Sequence, residues 1–267
     1  MHNQMKYFDV YFLCQSASRL LDGGFERTIN DFFEPLSESG SEKNSFNKYS
    51  ILHEYCEWVI RANIWDEKNS AVSIKKRYRN RGYSRNDGTL WVDIALNHYS
   101  KKKYDFLDWV NEETGKTVDC FEDAEIDELQ HNYLISLSGL EEFDDFVARL
   151  SSEMFYVLFQ NRGFLYNFNQ YLSTYNQIRK PRISIPKWAQ RAILFRDRGR
   201  CVFCSKDLSG TINITEDREV HYDHIVSLGN NGMNDISNLQ PSCQKCNLKK
   251  SKGSKTSTYY QQWYKLK

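Results

Sequence analysis

The stretch that decides the fold reads RCVFC at 200–204, EVHYDHIVSL at 219–228 and ISNLQPSCQKCNLKKSK at 236–252. It carries two Cys-x-x-Cys pairs, Cys201 with Cys204 and Cys243 with Cys246. Thiolates are natural ligands of tetrahedral zinc, and a two-residue gap lets a tight turn aim both sulfurs at one ion. The two pairs therefore predict one structural zinc site with four cysteine ligands.

The 38 residues between the two pairs exceed the usual spacing of a zinc ribbon, so we expect the insert to be the working part. It contains Asp223 and His224, and Asn247 follows the last cysteine. Histidine suits the removal of a proton from water near neutral pH. Carboxylate and amide oxygens suit Mg²⁺, which neutralises charge on a phosphate under attack. These residue types together favour phosphodiester hydrolysis.

At this point the sequence resembles a known family, the HNH endonucleases with the ββα-metal fold. The resemblance spans roughly residues 188–253, about a quarter of the chain. Thirteen positions agree in type and order: Cys201, Cys204, Asp223, His224, Ile225, Asn238, Leu239, Gln240, Cys243, Cys246, Asn247, Lys249 and Lys250.

The resemblance implies a role for each site residue. His224 would be the general base, and Asp223 and Asn247 would hold the catalytic ion. Asn238 would brace the loop and thereby orient the His224 ring indirectly. The last letter of the family name is met by asparagine at Asn247, which favours Mg²⁺ or Mn²⁺ over a softer metal. Products would carry a 5′ phosphate and a 3′ hydroxyl.

A lysine run follows the last cysteine pair, at Lys249, Lys250, Lys252 and Lys255. Beside a site that cleaves phosphates we expect it, Lys249, Lys250 and Lys252 above all, to contact a nucleic-acid backbone. The alternative is a solvated helix end. His221 is interpreted as a strand residue and not as a metal ligand.

Charge is divided unevenly along the chain, although the net charge is +1. Residues 181–267 hold 15 Lys and Arg against 7 Asp and Glu, and residues 1–180 hold 21 against 28. The basic part is the one expected to meet DNA. The acidic part is expected to meet a protein partner or an activating signal, or to fold against the basic part.

The remaining cysteines, Cys14, Cys56 and Cys120, are scattered, which fits a reducing compartment. The chain begins without a basic segment followed by an apolar core, and no apolar run reaches membrane-spanning length. We therefore expect a cytoplasmic protein with no membrane partner.

Residues 1–180 resemble no family that we can name. Apolar spacing predicts a helix over Tyr7 to Leu21, a second helix after Ser50 and an aromatic-rich helical core from Phe143 to Tyr175. The prolines of KPRISIPKW, at 180–188, predict a short extended linker, so we place the domain boundary near Lys180. A basic amphipathic helix is predicted from Trp188 to Arg198.

Two charged stretches of the N-terminal region need separate interpretation. The basic, aromatic segment at 71–85 could contact nucleic acid, a nucleotide signal or the acidic stretch that follows, or form a solvated face. The acidic stretches at 119–128 and 141–145 could mimic DNA in front of the basic region. A solvated helix face is the more ordinary interpretation of that acidity.

The predicted fold class is α+β: a mostly helical N-terminal domain, 1–180, followed by a small zinc-stabilised ββα-metal domain, 181–267. In the latter we expect a first strand at 219–227 and a connecting loop at 229–235. Residues 238–241 should lead into a second short strand, and a helix should follow at 244–252.

The predicted function is a metal-dependent DNA endonuclease, in phage defence or restriction, with the N-terminal domain sensing or targeting. The alternatives are a nuclease of a mobile element and a catalytically silent, zinc-stabilised DNA-binding module. A homodimer is a further expectation, because a nuclease with one site per chain often needs two chains to cut both strands.

Overall fold

A computed structural model of the chain describes residues 7–22, 29–33, 45–67, 69–79, 88–175, 180–209 and 220–258. Helices dominate, and a two-stranded antiparallel sheet lies near the C-terminus. The mostly helical architecture with a small C-terminal sheet confirms the predicted fold class. In the part of the chain described, no helix has both the length and the apolar character needed to cross a membrane.

The elements are numbered here in chain order. The α-helices are α1 (Tyr7–Leu21), α2 (Ile51–Asp66), α3 (Ala71–Arg79), α4 (Trp91–Tyr99), α5 (Phe106–Thr114), α6 (Asp123–Ser138), α7 (Glu141–Gln160), α8 (Arg162–Tyr175), α9 (Lys187–Arg196) and α10 (Gln244–Lys250). The strands are β1 (Val220–His224) and β2 (Leu239–Cys243), and short 3-10 turns lie at Val118–Cys120, Leu228–Asn230 and Ile236–Asn238. Residues 29–33 are also helical.

Contacts divide the chain into two compact units. Unit 1 comprises Met1–Leu13 and Cys56–Met154, and unit 2 comprises Cys14–Tyr55 and Phe155–Lys267. Unit 2 thus groups the predicted nuclease region with earlier parts of the chain. The domain boundary proposed near Lys180 stays a prediction.

Unit 1 contains helices whose ends are set by local capping. The Asp105 carboxylate accepts a hydrogen bond from the Leu107 amide at 2.9 Å, and Gly115, with φ 67°, ends α5 in the left-handed conformation. At the start of α6, Glu122 and Glu125 form a reciprocal capping box. These residues explain where α5 begins and ends and where α6 begins.

The basic stretch of α3 binds acidic residues of the same unit. Lys75 Nζ lies 2.8 Å from Asp123 Oδ1, and Arg79 Nη2 lies 2.9 Å from Asp119 Oδ1. This is the contact with the acidic stretch that the sequence offered as one interpretation. Positions 80–87, which include the rest of the basic segment, lie outside the described residues.

An aromatic cluster fills the core of unit 2. Tyr55 packs against Phe33 and Phe168, with ring centroids 6.1 and 5.2 Å away, and its hydroxyl donates to the Ala17 carbonyl at 2.9 Å. The predicted aromatic run from Phe143 to Tyr175 is helical and contributes buried side chains, as expected. It is divided into α7 and α8 at residue 161.

Polar contacts attach this aromatic core to the C-terminal region within unit 2. The Asp235 carboxylate accepts the backbone N–H of Ile51, the first residue of α2, at 3.0 Å. The Asn169 amide donates to the Ser237 hydroxyl at 3.4 Å. The turn at 235–237 is therefore held by residues far away in the sequence.

The sheet places the predicted site residues in a fixed register. Strands β1 and β2 pair antiparallel, with Asp223 opposite Gln240 and His224 opposite Leu239. Helix α10 follows β2 directly and ends at Lys250, because Ser251 has a φ of 52°. Strand β1 is shorter than predicted, since the backbone turns after His224, whereas β2 continues to Cys243.

The loop between the strands depends on one glycine. A Cβ at Gly232 would lie 2.1 Å from the Val226 carbonyl oxygen, closer than any side chain can approach. Only glycine lets the loop return this tightly against the end of β1.

Candidate active site and metal centre

The four cysteines predicted to bind zinc lie together. One ligand atom from each of Cys201, Cys204, Cys243 and Cys246 falls within 4.8 Å of the others, and the Cys204 and Cys243 sulfurs are 3.7 Å apart. With Zn–S bonds of about 2.3 Å, the edge of a tetrahedron of thiolates is about 3.8 Å. The donor set and its spacing fit a structural zinc ion.

Each half of the cysteine cluster is positioned by its own backbone. The first pair sits in a turn closed by the Cys201 amide, which donates to the Lys206 carbonyl at 2.9 Å. Val202 then donates to the Pro241 carbonyl in β2 at 3.1 Å. Since Cys243 ends β2 and Cys246 lies in α10, a bound zinc would tie the turn, the sheet and the helix together.

Asp223 lies on β1 and is already bound by two donors. Gln240 Nε2 donates to Asp223 Oδ2 at 3.0 Å. Lys250 Nζ lies 3.0 Å from Oδ2 and 3.3 Å from Oδ1, and also donates to the His224 carbonyl at 2.6 Å. The carboxylate therefore has a fixed orientation, set by the facing strand and by α10.

His224 is buried, with 6% of its surface exposed. Burial lowers the pKa of His224 to about 4, with the nearby charges of Arg182 and Lys250 acting in the same direction. The hydrogen bond with Asn234 and the charge of Asp223 oppose this shift. The ring is consequently neutral at pH 7, which is the form that can accept a proton.

Asn238 holds the loop that follows β1. Its amide oxygen accepts from the Val226 amide at 2.8 Å, and its amide nitrogen donates to the carbonyls of Val226 and Met233, both at 2.9 Å. The side chain is fully buried. These contacts are the ones expected of a residue that braces the loop. The His224 ring itself has a direct contact with Asn234, at 3.2 Å.

Asn247 lies in α10 and faces β1. Its amide nitrogen is 3.2 Å from Nδ1 of His221, which leaves the amide oxygen as the atom that could bind a cation. His221 is thus a strand residue, as expected, but it also fixes the side chain of a predicted metal ligand.

A cleft of about 610 Å³ brings the predicted general base, His224, together with the two predicted ligands of the catalytic ion, Asp223 and Asn247. Its other lining residues are Lys180, Pro181, Arg182, Ser227, Leu228, Leu248, Ser251 and Lys252. Asn238 does not line the cleft. Asp223 is the acidic residue of this lining, which otherwise includes two lysines and an arginine.

The three lysines predicted to contact nucleic acid differ in their surroundings. Lys249 and Lys252 are exposed. The Lys250 side chain is only 2% exposed, because its ammonium group is directed at Asp223 and the His224 carbonyl.

Residues 201–253 match the family model described as HNH endonuclease. The match covers all four cysteines and confirms the resemblance for this segment, about a fifth of the chain. No curated protein and no solved structure matches the chain. The C-terminal segment therefore matches the HNH endonuclease family and carries a cysteine cluster suited to structural zinc.

Sequence reasoning missed three residues at this site: Lys180 and Arg182, which line the cleft, and Asn234, which contacts His224. Lys180 and Arg182 lie in the stretch interpreted as a linker. Their positive charge was the feature of the sequence that could have indicated a place beside a phosphate-binding cleft. Asn234 stands in the loop predicted at 229–235, where asparagine is expected for turn formation alone.

Proposed function

We propose that this chain is a metal-dependent DNA endonuclease in which His224 is the general base and Asp223 and Asn247 hold the catalytic divalent ion. The observation that carries the proposal is the single cleft lined by these three side chains within a segment that matches the HNH endonuclease model. If the segment resembled the family by chance and had no catalytic function, nothing would require these three side chains to line one cavity.

The charge of the cleft supports a phosphate-bearing substrate. Lys180, Arg182 and Lys252 line it together with Asp223. A concave surface with this excess of positive charge concentrates an anionic backbone near the site. Lys249 is exposed on α10 and follows the lining residue Leu248 in the sequence.

The protein groups have separate duties in hydrolysis. His224, neutral because burial lowers its pKa, takes a proton from the attacking water. Lys250 and Gln240 keep the Asp223 carboxylate in place, and His221 does the same for Asn247. The ion, Mg²⁺ or Mn²⁺, would stabilise charge on the phosphate and on the departing 3′ oxygen. The oxygen donors of Asp223 and Asn247 fit such a hard cation.

The test is cleavage of supercoiled plasmid by the purified full chain with Mg²⁺ or Mn²⁺, beside His224→Gln. We expect the wild type to nick or linearise the plasmid and the variant to lose at least about 100-fold in rate, the lower range for a missing general base. His131→Gln, the same change at a histidine of unit 1, serves as the control and should cut normally. Unchanged cutting by His224→Gln would reject the proposed base.

The same experiment separates the alternatives. A wild type that binds DNA and zinc but does not cut under any divalent ion would favour a catalytically silent binding module. A role in phage defence, restriction or a mobile element, and the homodimer, N-terminal partner and cytoplasmic location expected from the sequence, stay predictions. Testing these predictions requires assays with defined substrates and partners.

A further inference from the structure

Asn234 links the His224 ring to the segment before α9. Its amide oxygen lies 3.2 Å from His224 Nε2, and its amide nitrogen donates to the Pro181 carbonyl at 2.9 Å. Asn234 is 4% exposed, so both contacts are shielded from water. One side chain thus joins the proposed general base to the wall of the cleft formed by 180–182.

The Pro181 carbonyl determines which way the Asn234 amide faces. A carbonyl oxygen only accepts hydrogen bonds, so the group that faces it must be the NH₂ of Asn234. The amide oxygen therefore faces His224 Nε2. Because this oxygen can only accept, Nε2 must carry the hydrogen.

We propose that Asn234 is a positioning residue that holds neutral His224 in the Nε2–H tautomer and leaves Nδ1 as the nitrogen that receives the proton from water. The inference rests on the proposed function only for the identity of the proton donor. The tautomer itself follows from the contacts of Asn234. In histidine catalysis the partner of one ring nitrogen decides which nitrogen is available for chemistry.

The proposal also gives Pro181 a part in the site. Its carbonyl accepts from the Asn234 NH₂ and so favours the orientation in which the amide oxygen faces the ring. The segment at 180–182 therefore contributes more than positive charge to the cleft, since it fixes the amide that fixes the base.

The direct test reads the tautomer by long-range ¹H–¹⁵N correlation spectra of the zinc-loaded full chain, labelled with ¹⁵N-histidine and recorded at pH 8. The chain has six histidines, and the His224 signal is identified by its loss in His224→Gln. We expect Nε2–H in the wild type. Asn234→Ala should show a mixture of both tautomers. A wild-type Nδ1–H signal, or an unchanged tautomer in Asn234→Ala, would overturn the proposal.

Kinetics provide a second readout. Asn234→Ala should lower kcat by about 10-fold or more, the usual effect of removing a partner that orients a site histidine, with KM changed little. Asn63→Ala, which removes an asparagine contact to the Val59 carbonyl in unit 1, is the matched control and should leave kcat unchanged.

The two proposals fail in different ways. An unaltered kcat in Asn234→Ala would contradict the positioning role while the nuclease stands. An inactive wild type would contradict the proposed function, and the spectra would still decide the tautomer.

Discussion

Asp197 is a buried carboxylate between two arginines of unit 2. Arg162 Nη1 donates to it at 2.9 Å, and Arg196 donates through Nε at 3.0 Å and Nη2 at 2.7 Å. The side chain is 1% exposed, and both guanidinium groups are nearly as buried. Arg196 Nη2 also donates to the carbonyl of Leu239, the first residue of β2, at 2.8 Å. The carboxylate thus supports the strand that pairs with His224.

Replacing Asp197 with alanine would leave two guanidinium groups buried without their anion. Removing one partner of a buried ion pair costs about 3–5 kcal/mol, because the remaining charge has lost both its partner and its water. With a urea dependence of about 2 kcal/mol per molar, unfolding of unit 2 should move to lower urea by about 2 M.

The assay is hydrogen exchange as a function of urea, followed by mass spectrometry of peptides from 220–243, which reads unit 2 by itself. Asp144→Ala is the matched control. Asp144 lies 2.7 Å from Arg61 in unit 1, but 65% of its side chain is exposed. Loss of this exposed ion pair should lower the free energy of unfolding by no more than about 1 kcal/mol, as read from peptides of unit 1. A midpoint for Asp197→Ala that moves no further than that of Asp144→Ala would refute the argument from burial.

Three further predictions concern the same unit. Elemental analysis should find one bound zinc ion per wild-type chain and none in Cys243→Ser, and the C-terminal segment of that variant should unfold, since structural zinc contributes on the order of 10 kcal/mol. Cys120→Ser, outside the cluster, should keep the zinc. Asp235→Ala should destabilise unit 2 by about 1–3 kcal/mol in urea titrations, because the buried amide of Ile51 loses its acceptor; an unaffected midpoint would contradict this. Burial lowers the pKa of His53 to about 4. The contribution of the neutral ring to stability is therefore complete above about pH 6.5 and declines as the pH falls toward 4. Between pH 7 and pH 5, His53→Gln should lose less stability than the wild type.

Local patterns in the sequence were sufficient to predict the zinc site and the order of the secondary-structure elements around it. A Cys-x-x-Cys turn needs no distant residue to direct its two sulfurs, so the spacing of Cys201 and Cys204 already contained the geometry. Apolar periodicity similarly predicted α1 over Tyr7 to Leu21, the bounds that the structure has.

Such local patterns could not predict contacts between residues that are distant in the sequence. Asp235 and Ile51 are separated by 184 positions, and Asn234 and Pro181 by 53. A side chain's partner across such intervals depends on how the elements pack, which propensity and periodicity do not encode. The family resemblance gives Asn238 an indirect part in orienting the ring, which stays a prediction, and it gave no sign of the direct contact that the structure shows between Asn234 and the ring.

Lys250 shows why charge alone does not assign a role in this lysine run. A carboxylate offers about four lone-pair sites, so Asp223 can keep its bonds with Gln240 and Lys250 and still offer an oxygen to a cation. A lysine held at 2% exposure by a carboxylate and a backbone carbonyl has little freedom to reach a phosphate outside. We infer that Lys250 belongs to the framework that orients Asp223. Lys249 and Lys252, which are exposed, are then the members of the predicted trio best placed to meet a nucleic-acid backbone.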